Sequence, residues 1–146
     1  MTAREWFMGI VIIALSHVFA IYIQFQHLTI LNTTLQTSIL FIPAAVRVFS
    51  VMLFGYWAGL GIAFGTLIHD VIFNVAGITF LEMITMAAEQ GLVVSISLFV
   101  WALVSRKVSG LRAPEIDFAR IDALDVLAMC CIQALINSTA GHIYYA

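Results

Sequence analysis

Arg47 stands inside an apolar run, and a guanidinium at the middle of a membrane-crossing helix costs at least about 2.5–3.5 kcal/mol on insertion scales. Such a group should face protein and have a partner. Counted from the outer ends of their runs, Arg47 and Glu89 lie similarly deep, which makes them the best-matched ion pair the sequence offers. Glu82 and Glu89 are seven residues apart and share a helix face, with Thr85 and Met86 on or beside that stripe. Asp70 and Asn74, four apart, share another, and His69 adjoins Asp70. Together these side chains would line a polar pocket open to the outside, with Arg47 and Glu89 at its floor. They could hold a ligand or handle protons. The same residues could instead be structural glue between helices, and the two readings overlap.

Other candidate chemistry is weaker. His17 and His69 fall at similar depth, and two facing intramembrane histidines can ligate a haem; without a fuller histidine pattern, no cofactor is expected. His27 and His142 lie toward the outer surface with too few companion ligands for a metal site. Ser138 and His142 are four apart, but that pair alone is thin evidence for a nucleophile. No Walker loop, G-x-S-x-G or HExxH occurs, so a non-enzymatic role is expected. Cys130 and Cys131 are adjacent, a spacing that strains a disulfide, and read as small buried hydrophobes.

The elements that must position these residues follow from composition. The chain of 146 residues is 63% hydrophobic and 10% charged, far from the roughly 25% charged residues of a soluble domain. Too few charges remain to cover a water-facing surface, so lipid is the expected solvent. The apolar runs predict an all-α, polytopic transmembrane bundle forming a single domain over 1–146. About five spans are expected, near 6–25, 37–54, 58–75, 80–104 and 121–144.

The first run is longer than a signal-peptide core and lacks a clear cleavage site, so it reads as a retained span. The polar stretch 26–36 reads as a loop or interfacial lip, Gly55 to Gly59 as a tight turn carrying Tyr56 and Trp57, and Asn74 to Thr79 as another turn. The fifth run is the least regular. Asp122 and Asp125 suit its opening turn, while Gln133, Asn137, Ser138 and Thr139 make its far half polar, as if it faced protein or a cavity. Gly55, Gly59, Gly61 and Gly65 form small-xxx-small pairs suited to close helix packing.

Orientation comes from the basic residues. Arg4 precedes the first span, and Arg106, Lys107, Arg112 and Arg120 lie between the fourth and fifth. With five spans both places fall on one side, which puts the N-terminus in and the C-terminus out. A net charge of −2 excludes nucleic acid as a partner. No internal repeat is evident, which argues against a self-contained transporter of inverted halves.

The stretch from Ile42-Pro-Ala-Ala-Val-Arg-Val through Leu53-Phe-Gly-Tyr-Trp-Ala-Gly-Leu-Gly-Ile to Gly65 resembles the opening of MASE1-type integral membrane sensor domains. There a proline-bearing helix entry, a Leu-x-Gly turn and a glycine-bearing helix follow one another. The segment Glu82 to Trp101 resembles the helix that comes next. MASE1 domains are longer and precede a kinase or cyclase module, so the resemblance implies a shorter, stand-alone relative. A similar glycine-and-aromatic turn occurs in the substrate-binding subunits of energy-coupling-factor transporters, small bundles with an outward pocket.

These readings converge on a small-ligand binding or sensory module of a bacterial inner membrane. It would work through a membrane partner or as a homo-oligomer. A transport component, either a substrate-capture subunit or a proton-coupled carrier, and a structural subunit of a larger complex are the alternatives.

Overall fold

Each long apolar run becomes a helix because in lipid only internal hydrogen bonding satisfies the backbone. The computed structural model describes residues 2–26, 42–73, 77–105 and 121–145. Five helices fill them: α1 (Ala3–Gln26), α2 (Ile42–Phe54), α3 (Trp57–Ile72), α4 (Phe80–Ser105) and α5 (Ala123–Tyr145). No strand occurs among the described residues. The expected stretches 26–36 and 105–120, apart from Gln26 and Ser105, lie outside them, as does Asn74.

Three of the five helices open with the same device. The Thr2 amide donates to Glu5 Oε2 at 2.6 Å and the Glu5 amide donates to Thr2 Oγ1 at 3.3 Å. Thr79 and Glu82 repeat the exchange at the start of α4, at 2.7 and 3.3 Å, and Asp122 and Asp125 at the start of α5, both at 3.0 Å. These are reciprocal capping boxes, in which a side chain at each end satisfies an amide that the helix leaves orphaned. The opening Thr2 to Glu5 is therefore a helix start built into α1. Pro43 occupies the second position of α2, where its missing amide costs nothing.

The connection between α2 and α3 is shorter than expected, only Gly55 and Tyr56, with Trp57 already helical. Gly55 adopts φ +59°, and its own amide closes the last turn of α2 on Val51 O at 2.8 Å. A side chain would strain that conformation. A Cβ added at Gly55 would meet nothing within 4 Å, so its part is in the turn, not in helix packing.

The centre of the bundle is α3, and its glycines face two ways. A Cβ on Gly59 would stand 2.6 Å from Gly91 O of α4 and collide with Ser95 Oγ. One on Gly61 would stand 2.7 Å from the Ile13 side chain, and one on Gly65 2.8 Å from Ala14 O, both on α1. Backbone thus lies almost directly on backbone along both faces. The remaining helices close around this sandwich, with α2 against α1 and α5 against α4. Ile13, Val48, Val51, Met52, Ala58, Ile62, Val94, Leu98, Trp101 and Met129 form one core drawn from all five helices.

The outside is as apolar as the core: Phe7, Phe19, Leu81, Leu92, Val104, Leu124 and Leu135 are each more than half exposed. Polar side chains turn inward, among them His17, Gln24, Arg47, Asp70, Ser97 and Gln133. Three helical segments, Ala3–Gln24, Phe80–Val104 and Ala123–Ala140, are long and apolar enough to cross a membrane, and Ile42–Phe54 and Trp57–Ile72 are shorter apolar helices. Cys130 and Cys131 are free and exposed, contrary to the expectation of burial. The reason is that α5 turns a stripe spaced by four, Asp125, Met129, Gln133 and Asn137, toward the bundle and leaves the cysteines on its outer side.

Candidate functional site

His17, Arg47, the His69–Asp70 pair and Glu89 come from four helices, and α5 adds the amide of Asn137 beside the buried capping carboxylate of Asp125. Arg47, on α2, is 7% exposed. Its Nη1 donates to Asn137 Oδ1 on α5 at 3.3 Å, across 90 residues of sequence. Glu89, half-buried on α4, acts on the guanidinium through its charge. The hydrogen bond from Nη1 thus reaches an amide that the sequence placed only in a polar stretch of the fifth run. Matching depth by counting residues from span ends favours charges over amides, and α5 was the helix whose register was hardest to set.

His69 and Asp70 sit near the C-terminal end of α3. His69 Nδ1 and Asp70 Oδ1 are 3.0 Å apart, in side chains 15% and 12% exposed. The Phe73 ring covers the imidazole at 4.9 Å between centroids and is itself stacked on Tyr22 of α1 at 5.5 Å. At the same end, Gln24 Oε1 accepts from the Ile42 amide at 3.1 Å, joining the end of α1 to the start of α2.

Glu82 lies elsewhere and does something else. It is exposed, and its Oε2 accepts from both the amide and the hydroxyl of Thr79, each at 2.7 Å. Its carboxylate is thus held by the N-terminus of its own helix. Thr85, between Glu82 and Glu89, donates to Leu81 O at 2.9 Å and is exposed. The acidic stripe on α4 therefore divides into a cap at its N-terminal end and one inward carboxylate, Glu89. Asn74 lies outside the described residues.

His17 completes the interior set. It is wholly buried on α1, and neither ring nitrogen meets a hydrogen-bond partner among the described residues. The guanidinium of Arg47 acts on it electrostatically. Its Cβ lies 3.1 Å from where a side chain on Gly65 would begin, so α1 and α3 touch at this level and leave no haem-wide gap between His17 and His69.

Several hydroxyls that might have joined a site are satisfied within their own helices: Thr66 on Ile62 O at 3.0 Å, Ser97 on Val93 O at 2.6 Å and Thr139 on Leu135 O at 2.8 Å. A shallow apolar groove of about 330 Å³ runs along α5 beside Leu135, Ile136, Thr139 and Ala140, away from Arg47 and Asp70. The side chain of His142 lies outside the described ones. No group of three or more His, Cys, Asp or Glu that could hold a metal occurs among the described residues. Comparison with known protein families, with characterised proteins and with solved structures finds no match for this chain.

Proposed function

We propose that the chain is a non-enzymatic membrane module of a bacterial inner membrane that binds or senses a small ligand through Arg47, Asp70, His69 and Glu89. It would relay the result to a membrane partner or a second copy. The observation that carries this reading is the placement of Arg47. A guanidinium buried in an apolar bundle is expensive, and intramembrane ionisable residues of this kind are functional more often than ornamental. The resemblance of residues 42–65 to sensor domains agrees with it.

The proposal includes five crossings with the N-terminus inside. Trp6 and Trp57 meet at 5.3 Å at one end of α1, and Tyr22 and Phe73 meet at the other. Aromatic rings favour membrane boundaries, and the 16 residues from Trp6 to Tyr22 rise about 24 Å. The turn at Gly55 thus reaches the level where α1 begins, which supports α2 and α3 as crossings despite their shortness. A C-terminal reporter active in the cytoplasm would remove this topology.

The ligand reading is tested by melting the purified protein in detergent with chloride, phosphate, acetate and succinate. At least one anion should raise the Tm of the natural chain and of Arg47→Lys, and leave Arg47→Gln unmoved. A flat response in the natural chain, or an equal rise in Arg47→Gln, would refute it. A transport component is the second reading, supported by the His69–Asp70 pair near one end of the bundle and Glu89 deeper in. Uptake into vesicles that is lost on Glu89→Gln would favour it.

A further inference from the structure

A neutral imidazole carries one N–H donor and one lone pair. Burying either without a partner costs about 1–3 kcal/mol, and native interiors leave few such groups. His17 has both in this condition where α1 packs closely on α3 at Gly65. Packing alone gives no reason for it: a leucine of similar volume would fill the place without that cost. Among the described residues α2 and α3 are the helices that pack closely on α1, and the ionisable side chains they bring are Arg47 from α2, and His69 and Asp70 from α3. On α1 itself the others are Tyr22, stacked on Phe73, and Arg4 and Glu5 in the first turn, about 18 Å of helix away from His17. Glu89 reaches the cluster through Arg47.

His69 lies one helical turn along α3 from Gly65, the residue against which His17 packs. It therefore stands about 6 Å further toward the end of α3, paired with Asp70 and partly open. Water ordinarily fills buried polar sites of this kind, and water bridges between two polar groups are nearly as good as direct hydrogen bonds.

We propose that His17 is an intramembrane proton-exchange site, connected to the surface through water and the His69–Asp70 pair. A bridging water gives a proton to one ring nitrogen as it takes one from the His69–Asp70 pair, the imidazolium forms, and its other nitrogen releases its own proton to water. Only N–H and O–H bonds break and form, one proton is passed on, and no redox partner is needed. Asp70, the carboxylate beside His69, is the acceptor that draws the proton to and from the outer end. The proposal is independent of any ligand at Arg47.

The test is hydrogen–deuterium exchange at the histidine rings of the full-length, ¹⁵N-histidine-labelled chain in phosphatidylcholine–phosphatidylglycerol bilayers, read by solid-state NMR. His17→Gln identifies the resonance. Should that variant fail to fold, the signal that persists through His27→Gln, His69→Gln and His142→Gln, made one at a time, identifies it instead. The ring proton of His17 should exchange within minutes, while amides of the α1 core stay protected for hours, and Asp70→Asn should slow it tenfold or more. A His17 proton as protected as those amides would make it a dry packing residue and overturn the proposal. So would fast exchange that Asp70→Asn leaves unchanged.

Discussion

Two seams hold this bundle together, and they are built on opposite principles. Along α1, α3 and α4 the contact is backbone on backbone, made possible by Gly59, Gly61, Gly65 and Gly91. Between α2 and α5 it is polar: Arg47 reaches Asn137, and Gln133, one turn away on the same stripe, is buried with it. In lipid the hydrophobic effect gives helices little reason to prefer each other to the surrounding tails, so close packing and interhelical hydrogen bonds must do the joining. The glycine seam depends on shape and tolerates no atoms added. The polar seam depends on partners and tolerates none removed. This division explains why α3 sits at the centre with two bare faces, while α5 stands at the margin with an apolar outside and a polar inside.

The comparison predicts its own largest effect. Gly91→Leu would place a side chain where Gly59 O already stands 2.6 Å from a Cβ, and backbone cannot yield as a side-chain tip does. Overpacking of this kind costs about 1–3 kcal/mol in ordinary cores, and a two-sided backbone contact belongs at the upper end or beyond. Gly91→Leu should therefore lose most of its folded fraction in mild detergent, and Gly91→Ala should lose about 2 kcal/mol by reversible SDS unfolding. A neutral Gly91→Ala would mean that α3 and α4 are not in close contact, and the contrast between the seams would fail.

A smaller effect is expected at the polar seam. Asn137→Ala should cost about 1 kcal/mol in the same unfolding measurement. Combined with Arg47→Met, it should show a coupling of about 0.6–1.7 kcal/mol, the range seen for interhelical hydrogen bonds in membranes. Additive single and double mutants would show that the two side chains are neighbours without being partners. The cycle also separates Asn137 from Glu89: a pairing through charge should be weakened by salt, and one through the amide should not.

What could be read beforehand depended on how local the cause was. Helix positions were legible because apolar runs of spanning length leave few alternatives, and the boundaries of α1, α4 and α5 fall within about three residues of those expected. The glycines of α3 were legible as a pattern, but Gly91 was not. A lone glycine in a long apolar run acquires meaning only when it is known to lie opposite Gly59. Asn137 failed for the same reason, since its partner is 90 residues away and depth can be counted only to within a turn or so. The capping boxes failed for a different one. Thr2-x-x-Glu5 and Thr79-x-x-Glu82 are plain in the letters, yet carboxylates are so scarce in this chain that Glu82 drew a functional reading ahead of its local one. His17 was noticed only as half of a haem pair, because burial without a partner is a property of three dimensions.

Glu82 offers the finest division between the two kinds of polar residue. If its carboxylate serves only to cap α4, the requirement is an acceptor at that position, and an amide oxygen meets it. Thr79→Ala, which removes the reciprocal hydroxyl, should then cost about 1 kcal/mol. Glu82→Ala should cost less, because water can reach the exposed Thr79 amide, and Glu82→Gln should be indistinguishable from the natural chain in stability. None of the three should alter the response to small anions, since Glu82 is held by Thr79 at the entry to α4 while Arg47 is buried in the bundle. Were Glu82→Gln to keep its stability but lose anion binding, the charge itself would be part of the recognition. The N-terminal end of α4 would then belong with the interior cluster, and the boundary between structural and functional polar groups would run through this residue instead of beneath it.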